Sequence, residues 1–447
     1  MALFLCAVQA CCAVAAGQQA TAVAETVYLD GYVSATHWPN GFDVNGQPVV
    51  VSSTTSYEWF GSKDIKGSAA ESSDVQVGVY AEVTGTKGQR GVDATAVSLR
   101  ATPDKTIKGL GLIVRVIAAG PEPVFEADGY RIRVPAGAAT QFAGTLKTLA
   151  DVGPNTWVKY EGKRDANGDV VAAAVEFSAG KTGKKKPAQL EKDAAEPDAI
   201  PAQAALIDAS GNFKTAHQKV RLSDVGGPCG WHRLAGDAAL QARVWSVGTS
   251  VVPAYQRQMA EDDAARIHFR FYVVDEAQIR EAFGCAAGLI LVPKQVVDRL
   301  KNDSQLAAVL ADGVAFNLQE QSPRWTEENM ELAGSAIGGG VAGGFFPWAG
   351  LGTEVATGVL AYMAVQNRDE ELERIELTLV ADAGYDPWQA PEAWRLLAPK
   401  KLPADSSHLK YPNRAGYQLA TLNLQYRRED AAKSGSSETK ADAAATK

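Results

Sequence analysis

Between Thr26 and Leu99, apolar and polar residues alternate in short runs broken by Gly, Asn and Pro, as in TVYLDGYVSA, GFDVNGQPVVVS, VQVGVYAEVTG and GVDATAVSLRA. A period of two sends successive side chains to opposite faces, so each run predicts a half-buried strand. Asn45-Gly46, set between two such runs, predicts a hairpin turn, because both of its central residues must accept a positive φ. The plan returns from Lys108 to Phe177 in GLGLIVRVI, PVFEADGYRIRV and TWVKYEGKRDANGDVVAAAVEF. GFDVNGQPVVV aligns with VFEADGYRIRV, and VGVYAEVTG with TWVKYEGKRD, so the region reads as an internal repeat.

Two repeats of about five short strands each predict two small all-β barrels of OB-like type, over 26–101 and 106–178. They resemble the uncharacterised barrel repeats of secreted and periplasmic bacterial proteins. Trp38, Trp59 and Trp157 are candidate stacking platforms on them, although aromatics in such barrels more often fill the core.

Residues 179–203, rich in Pro, Lys, Glu and Ala and without an apolar period, read as a linker; acidic neighbours balance their KKK run. Beyond it the period lengthens to that of a helix. A helix is expected from Asp237 to about Met259, a strand in IHFRFYVVD, and a central helix in NDSQLAAVLADGVAFNLQEQ, residues 302–321. There Leu306, Ala307, Val309 and Leu310 share a face, with Asp303 or Ser304 as cap. Ala333–Val365 is almost chargeless, with Glu354 its one ionised group, and its Gly-rich middle divides it. A buried helix pair is the favoured reading over a membrane hairpin, because no uninterrupted run of about 20 apolar residues is present. The tail, 427–447, is disordered by composition.

The chain has 447 residues, more than one ordinary core accommodates, and a net charge of −8 that argues against a nucleic-acid partner. Residues 1–16, MALFLCAVQACCAVAA, form an apolar run ending in small residues and predict a cleaved export signal, hence the periplasm or cell envelope. Its removal takes Cys6, Cys11 and Cys12 and leaves Cys229 and Cys285, whose spacing does not establish a disulfide and does not suit a structural zinc site.

Four stretches of the C-terminal region resemble the HtpX/BepA-like zinc metallopeptidases, relatives of the CAAX prenyl proteases. They are FRFYVVDEAQIREAFGCAAGLILVPKQVVDRL, with Glu281-Ala282-Phe283 at an NAF-type turn; the helix around Asp312; NRDEELERIELTLVADAGYDPWQAPEAW, which resembles the family's ExxAD helix followed by GYDP; and SSHLKYPNR, with His408 and Arg414. The resemblance implies a mainly α (α+β) gluzincin-metallopeptidase-like domain over 204–426. It also implies where a zinc site would fall. The helix should read HExxH, two imidazoles gripping zinc and a glutamate activating water. Here those positions hold Asp312, Gly313 and Phe316, while Glu371 stands at the third-ligand position with Glu373 as its acidic companion.

None of the three helix residues can do the family's work, so no catalytic residue, metal or cofactor is expected. Asp312 and Glu371 are the residual metal candidates, and pairing of Asp312 with Arg368 or Arg374 is the structural alternative. His37, His217, His232 and His268 lie outside ligand-like spacings. The expected molecule is therefore an exported, non-catalytic pseudopeptidase that binds a peptide or unfolded protein. Its cleft would be marked by Phe283, Gly288, Asp312, Glu371, His408 and Arg414. Two alternatives stand beside it: an active zinc metallopeptidase of envelope quality control with an altered ligand set, and a ligand- or wall-binding protein that acts through its barrels.

Overall fold

The computed structural model describes residues 25–60, 68–100, 106–165, 168–179, 219–221, 231–261, 263, 265–275, 283–284, 288–319, 369–398 and 412–426. The export signal, the linker, Cys229, Cys285, His408, Ala333–Val365 and the tail lie outside them, and Gly180–Gln218 separates the described β region from the rest.

The N-terminal region is all β and holds two barrels of one design. In the first, β1 (Thr26–Thr36), β2 (Gly41–Val44), β3 (Gln47–Val50), β4 (Ser56–Phe60), β5 (Tyr80–Lys87) and β6 (Val92–Arg100) form one sheet in the order β3-β2-β1-β5-β6-β4. An added parallel pairing of β3 with β6 closes five strands into a ring, and β4 continues the same edge of β6. The second barrel repeats this with β7 (Thr106–Ala118), β8 (Val124–Ala127), β9 (Tyr130–Arg133), β10 (Ala139–Ala143), β11 (Thr156–Arg164) and β12 (Val170–Ala179). Both aligned pairs from the sequence coincide with equivalent strands, β2–β3 with β8–β9 and β5 with β11.

The two hairpin turns are also equivalent. Asn45 and Gly46 take φ of 51° and 78°, and Asp128 and Gly129 take 55° and 64°, the positive values that a two-residue turn with right-handed strand twist requires. The inward-facing residues, among them Val33, Phe42, Val97 and Leu99 in one barrel and Ile113, Phe125, Ile132 and Phe177 in the other, make two separate cores. Of the candidate platforms, Trp157 is buried and Trp59 packs against the first core, while Trp38 is 40% exposed.

The C-terminal part is mainly helical around a three-stranded sheet: β13 (Arg270–Val274), the parallel β15 (Leu289–Pro293) and the antiparallel edge strand β14 (Phe283–Gly284). The helix expected up to Met259 is two helices, α1 (Ala238–Val251) and α2 (Ala254–Gln258). Pro253 interrupts them, because its ring blocks the next helical hydrogen bond and pushes Val252 to extended backbone. After the short α3 (Lys294–Val297) comes the central helix α4 (Asp303–Leu318), buried almost all round from Gln305 to Ala315. Its cap is Asn302, whose side chain accepts from the Gln305 N–H at 2.9 Å. The expected caps are engaged elsewhere: Asp303 pairs with Arg243, and Ser304 Oγ accepts from the Asp386 N–H. Helix α5 covers 369–382, α6 is Gln389–Leu397 and α7 is Pro412–Gln425. No helix among the described residues is long and apolar enough to cross a membrane.

Both barrels rest on these helices. Helix α7 lies along β1, where Tyr32, Tyr80, Tyr417 and Ala420 form an apolar contact; the Tyr32 hydroxyl donates to Glu370 Oε1 at 2.6 Å. The second barrel meets α5 through Asp128 and Arg374, and the end of α4 through the Leu112 N–H and Gln319 Oε1.

Candidate functional site

The face of α4 that carries Asp312 looks toward α5, α6 and α7, and what meets there is a charge cluster. Glu373 and Glu376 stand three residues apart on α5, the spacing that places two side chains on one helix face. Their carboxylates and that of Asp312 come within 4.8 Å of one another. Arg414, near the start of α7, fills the space between them. Its Nη2 donates to Asp312 Oδ1 at 2.5 Å and to Glu376 Oε2 at 2.9 Å, and its Nε forms an ion pair with Glu373 Oε1. The guanidinium carbon lies 3.3 Å from the centre of the Trp394 ring, whose indole N–H donates to Glu376 Oε1 at 3.1 Å. Gln418, one turn after Arg414, donates from Nε2 to both glutamates.

The electrostatics follow from burial. Glu376 is fully buried, and loss of solvation pushes its pKa up to about 7; Arg414 pulls against this and Asp312 adds to it. Burial pushes Glu373 well above the usual carboxylate range too, again against the pull of Arg414 and with the push of Glu376 and Asp312. For Arg414 burial disfavours the charge, but the three carboxylates outweigh it and hold the guanidinium protonated.

These residues do not fit a catalytic zinc. Such a site takes three protein ligands, commonly with imidazole among them, and one open position. Here the donors are three carboxylates, all engaged by one guanidinium. The water-activating position is Gly313, whose missing Cβ would meet Ile290 Cγ1 at 3.0 Å and Cγ2 at 3.1 Å; the strand side chain of β15 already takes up that space. Phe316 is half-buried on the same helix and offers no ligand atom.

Of the six cleft positions, the structure joins Asp312 and Arg414 directly. Glu371 is buried on α5 but is not one of the three converging carboxylates. Gly288 lies at the end of α4, its N–H donating to Asn317 Oδ1 at 2.9 Å. The Phe283 backbone pairs with Leu291 in the edge strand, and His408 is outside the described residues. Of the two arginines expected to pair with Asp312, Arg368 lies outside the described residues, and the pairing with Arg374 does not form. Arg374 gives its donors to Asp128 of the second barrel and to the Tyr417 hydroxyl on α7. Glu376, Trp394 and Gln418 were not singled out from the sequence; the spacings 373/376 and 414/418 were the available signals.

Residues 30–98, the first barrel, match the model of a family described as a domain of unknown function (DUF5666). Over 153 residues the chain is 28% identical to the beta-barrel assembly-enhancing protease of Yersinia pestis, an alignment that covers 32% of this chain and 31% of that protein. The chain thus spans about a third of the length of the curated relative it matches. The similarity is to a protease, over part of each chain.

Proposed function

We propose that the chain is a non-catalytic relative of envelope metallopeptidases that binds a peptide or protein rather than cutting it. The observation that carries this reading is Arg414. One guanidinium holds Asp312, Glu373 and Glu376 together where the family resemblance calls for a metal, and it supplies the positive charge those carboxylates need. A fixed organic cation has no exchangeable water and no Lewis acidity, so it stabilises the fold without offering the chemistry of zinc. Loss of the ligands leaves the cleft walls in place, and binding can outlast cleavage.

The barrels belong to the same reading as OB-like modules, supported by the five-strand ring and the parallel closure of the third strand on the last. Export to the envelope is supported by the apolar run of residues 1–16 and by the similarity to a protease named for β-barrel assembly. The test is metal and activity together. Purified protein dialysed against a mild chelator should hold no stoichiometric zinc and leave casein intact. Retained zinc with chelator-sensitive cleavage would overturn the proposal.

A further inference from the structure

A cavity of about 730 Å³ opens along the seam between the second barrel and the helical part, away from Arg414 and its three carboxylates. Its size falls in the range of about 300–1,000 Å³ that takes small ligands. Strands β7 to β9 and the turn before β12 supply one wall, the end of α5 and the turn after it the second, and the end of α7 the third. Two features of the lining set its chemistry. Three aromatic side chains, Tyr385, Trp388 and Tyr426, border it. Four carboxylates, Glu126, Asp169, Asp382 and Asp386, face two guanidiniums, Arg115 and Arg131.

We propose that this seam cavity is a binding site for a peptide segment bearing lysine or arginine. Aromatic faces and carboxylates together attract an organic cation, the rings through their quadrupole and the acids through charge-assisted hydrogen bonds. The seam already seats one such group. Arg115 donates from Nε to Glu126 Oε2 at 2.8 Å and reaches Asp382 Oδ1 from Nη1 at 3.0 Å, bridging barrel and helix. Asp169 is met by Arg131 and Arg133, whereas Glu126 and Asp382 both turn to Arg115. Glu126 is held at a pKa of about 7, raised by burial and by Asp382 against the pull of Arg115 and Arg131. Those three, on α5, β7 and β9, are the charged groups that act on it. A second cation therefore binds best when Glu126 is ionised, and affinity rises from pH 6 to pH 8. The inference rests on the binding half of the function proposed above and is independent of whether zinc is held.

The probe is an amidated tetralysine peptide, titrated calorimetrically into the full chain at constant salt, with tetraglutamate and tetra-alanine as controls. One site per chain is expected for tetralysine, tighter at pH 8 than at pH 6, and none for the controls. Trp388→Ala and Asp382→Asn should each weaken it about tenfold or more, while Glu58→Gln on the first barrel leaves it unchanged. Circular dichroism checks folding, and Asp382→Asn, at a half-exposed carboxylate, keeps the test available if Trp388→Ala misfolds. No tetralysine binding would overturn the proposal. So would binding that both cavity variants retain, since that is diffuse attraction to a chain of net charge −8.

Discussion

Asp128, in the turn between β8 and β9, holds Arg374 on α5 at two points of contact within a single buried pair. Arg374 Nη2 donates to its carboxylate at 2.5 Å, Arg374 Nε donates to its main-chain oxygen at 2.9 Å, and the Tyr160 hydroxyl takes the other carboxylate oxygen. The equivalent residue of the first barrel, Asn45, donates to Asn413 Oδ1 on α7 at 2.9 Å and accepts from Arg395 through its main-chain oxygen. Arg374 directly follows Glu373, and Asn413 directly precedes Arg414. Each barrel thus braces, by the same turn, a helix residue next to a member of the charge cluster.

Breaking the Asp128–Arg374 pair should be costly, since both side chains are less than a tenth exposed and a lone buried charge is left behind. Asp128→Ala is expected to lose about 3–5 kcal/mol in urea denaturation. A loss below about 0.5 kcal/mol, the range of ordinary surface changes, would mean that the brace contributes nothing.

The close approach of turn and helix depends on two glycines. A Cβ on Gly416 would fall 1.6 Å from Asn45 Oδ1, and one on Gly129 would fall 2.3 Å from Arg374 Cβ, at a φ of +64°. Alanine at either position should therefore destabilise by more than about 1 kcal/mol, whereas Gly137→Ala, with nothing within 4 Å, should be neutral. Thermal melts of the three variants settle the comparison, and equal effects in all three would remove the docking argument.

Stability should fall as pH rises. Glu126 and Glu376 have native pKa values of about 7 against ordinary values of 4.5, and Glu370 and Glu373 are raised as well, all chiefly by burial. Between those limits the native state binds more protons than the unfolded state, so unfolding becomes easier with each step upward. The urea midpoint is expected to decline from pH 5 to pH 8, and Glu126→Gln to flatten that decline. A midpoint that rises over this interval would contradict the buried-carboxylate account.

The barrels were legible in the sequence because a period of two and an Asn-Gly turn are local signals. The strands that cap the rings were not. β4 and β10 pair in parallel with β6 and β12, far along the chain, and no short window records such a pairing. The central helix was legible in kind, but its cap depended on Asn302 adopting extended backbone and on Arg243 drawing off Asp303. For the site, Asp312 and Arg414 were marked through the resemblance without their contact. Glu376 looked like any charge on a helix face, and only packing against Trp394 and α7 shows that it is buried.

The central claim is that Arg414 stands where a metal would have to stand. Rebuilding the motif with Asp312→His, Gly313→Glu and Phe316→His puts two imidazoles and a glutamate on α4, with carboxylates of α5 opposite. The Cβ added by Gly313→Glu would by itself crowd Ile290 Cγ1 and Cγ2, which valine would keep, so Ile290→Ala accompanies it. Zinc is then measured by mass spectrometry after dialysis against a mild chelator, with Arg414 intact and with Arg414→Ala. The account predicts stoichiometric zinc only in the rebuilt chain that lacks Arg414. Zinc held equally with Arg414 in place would contradict it.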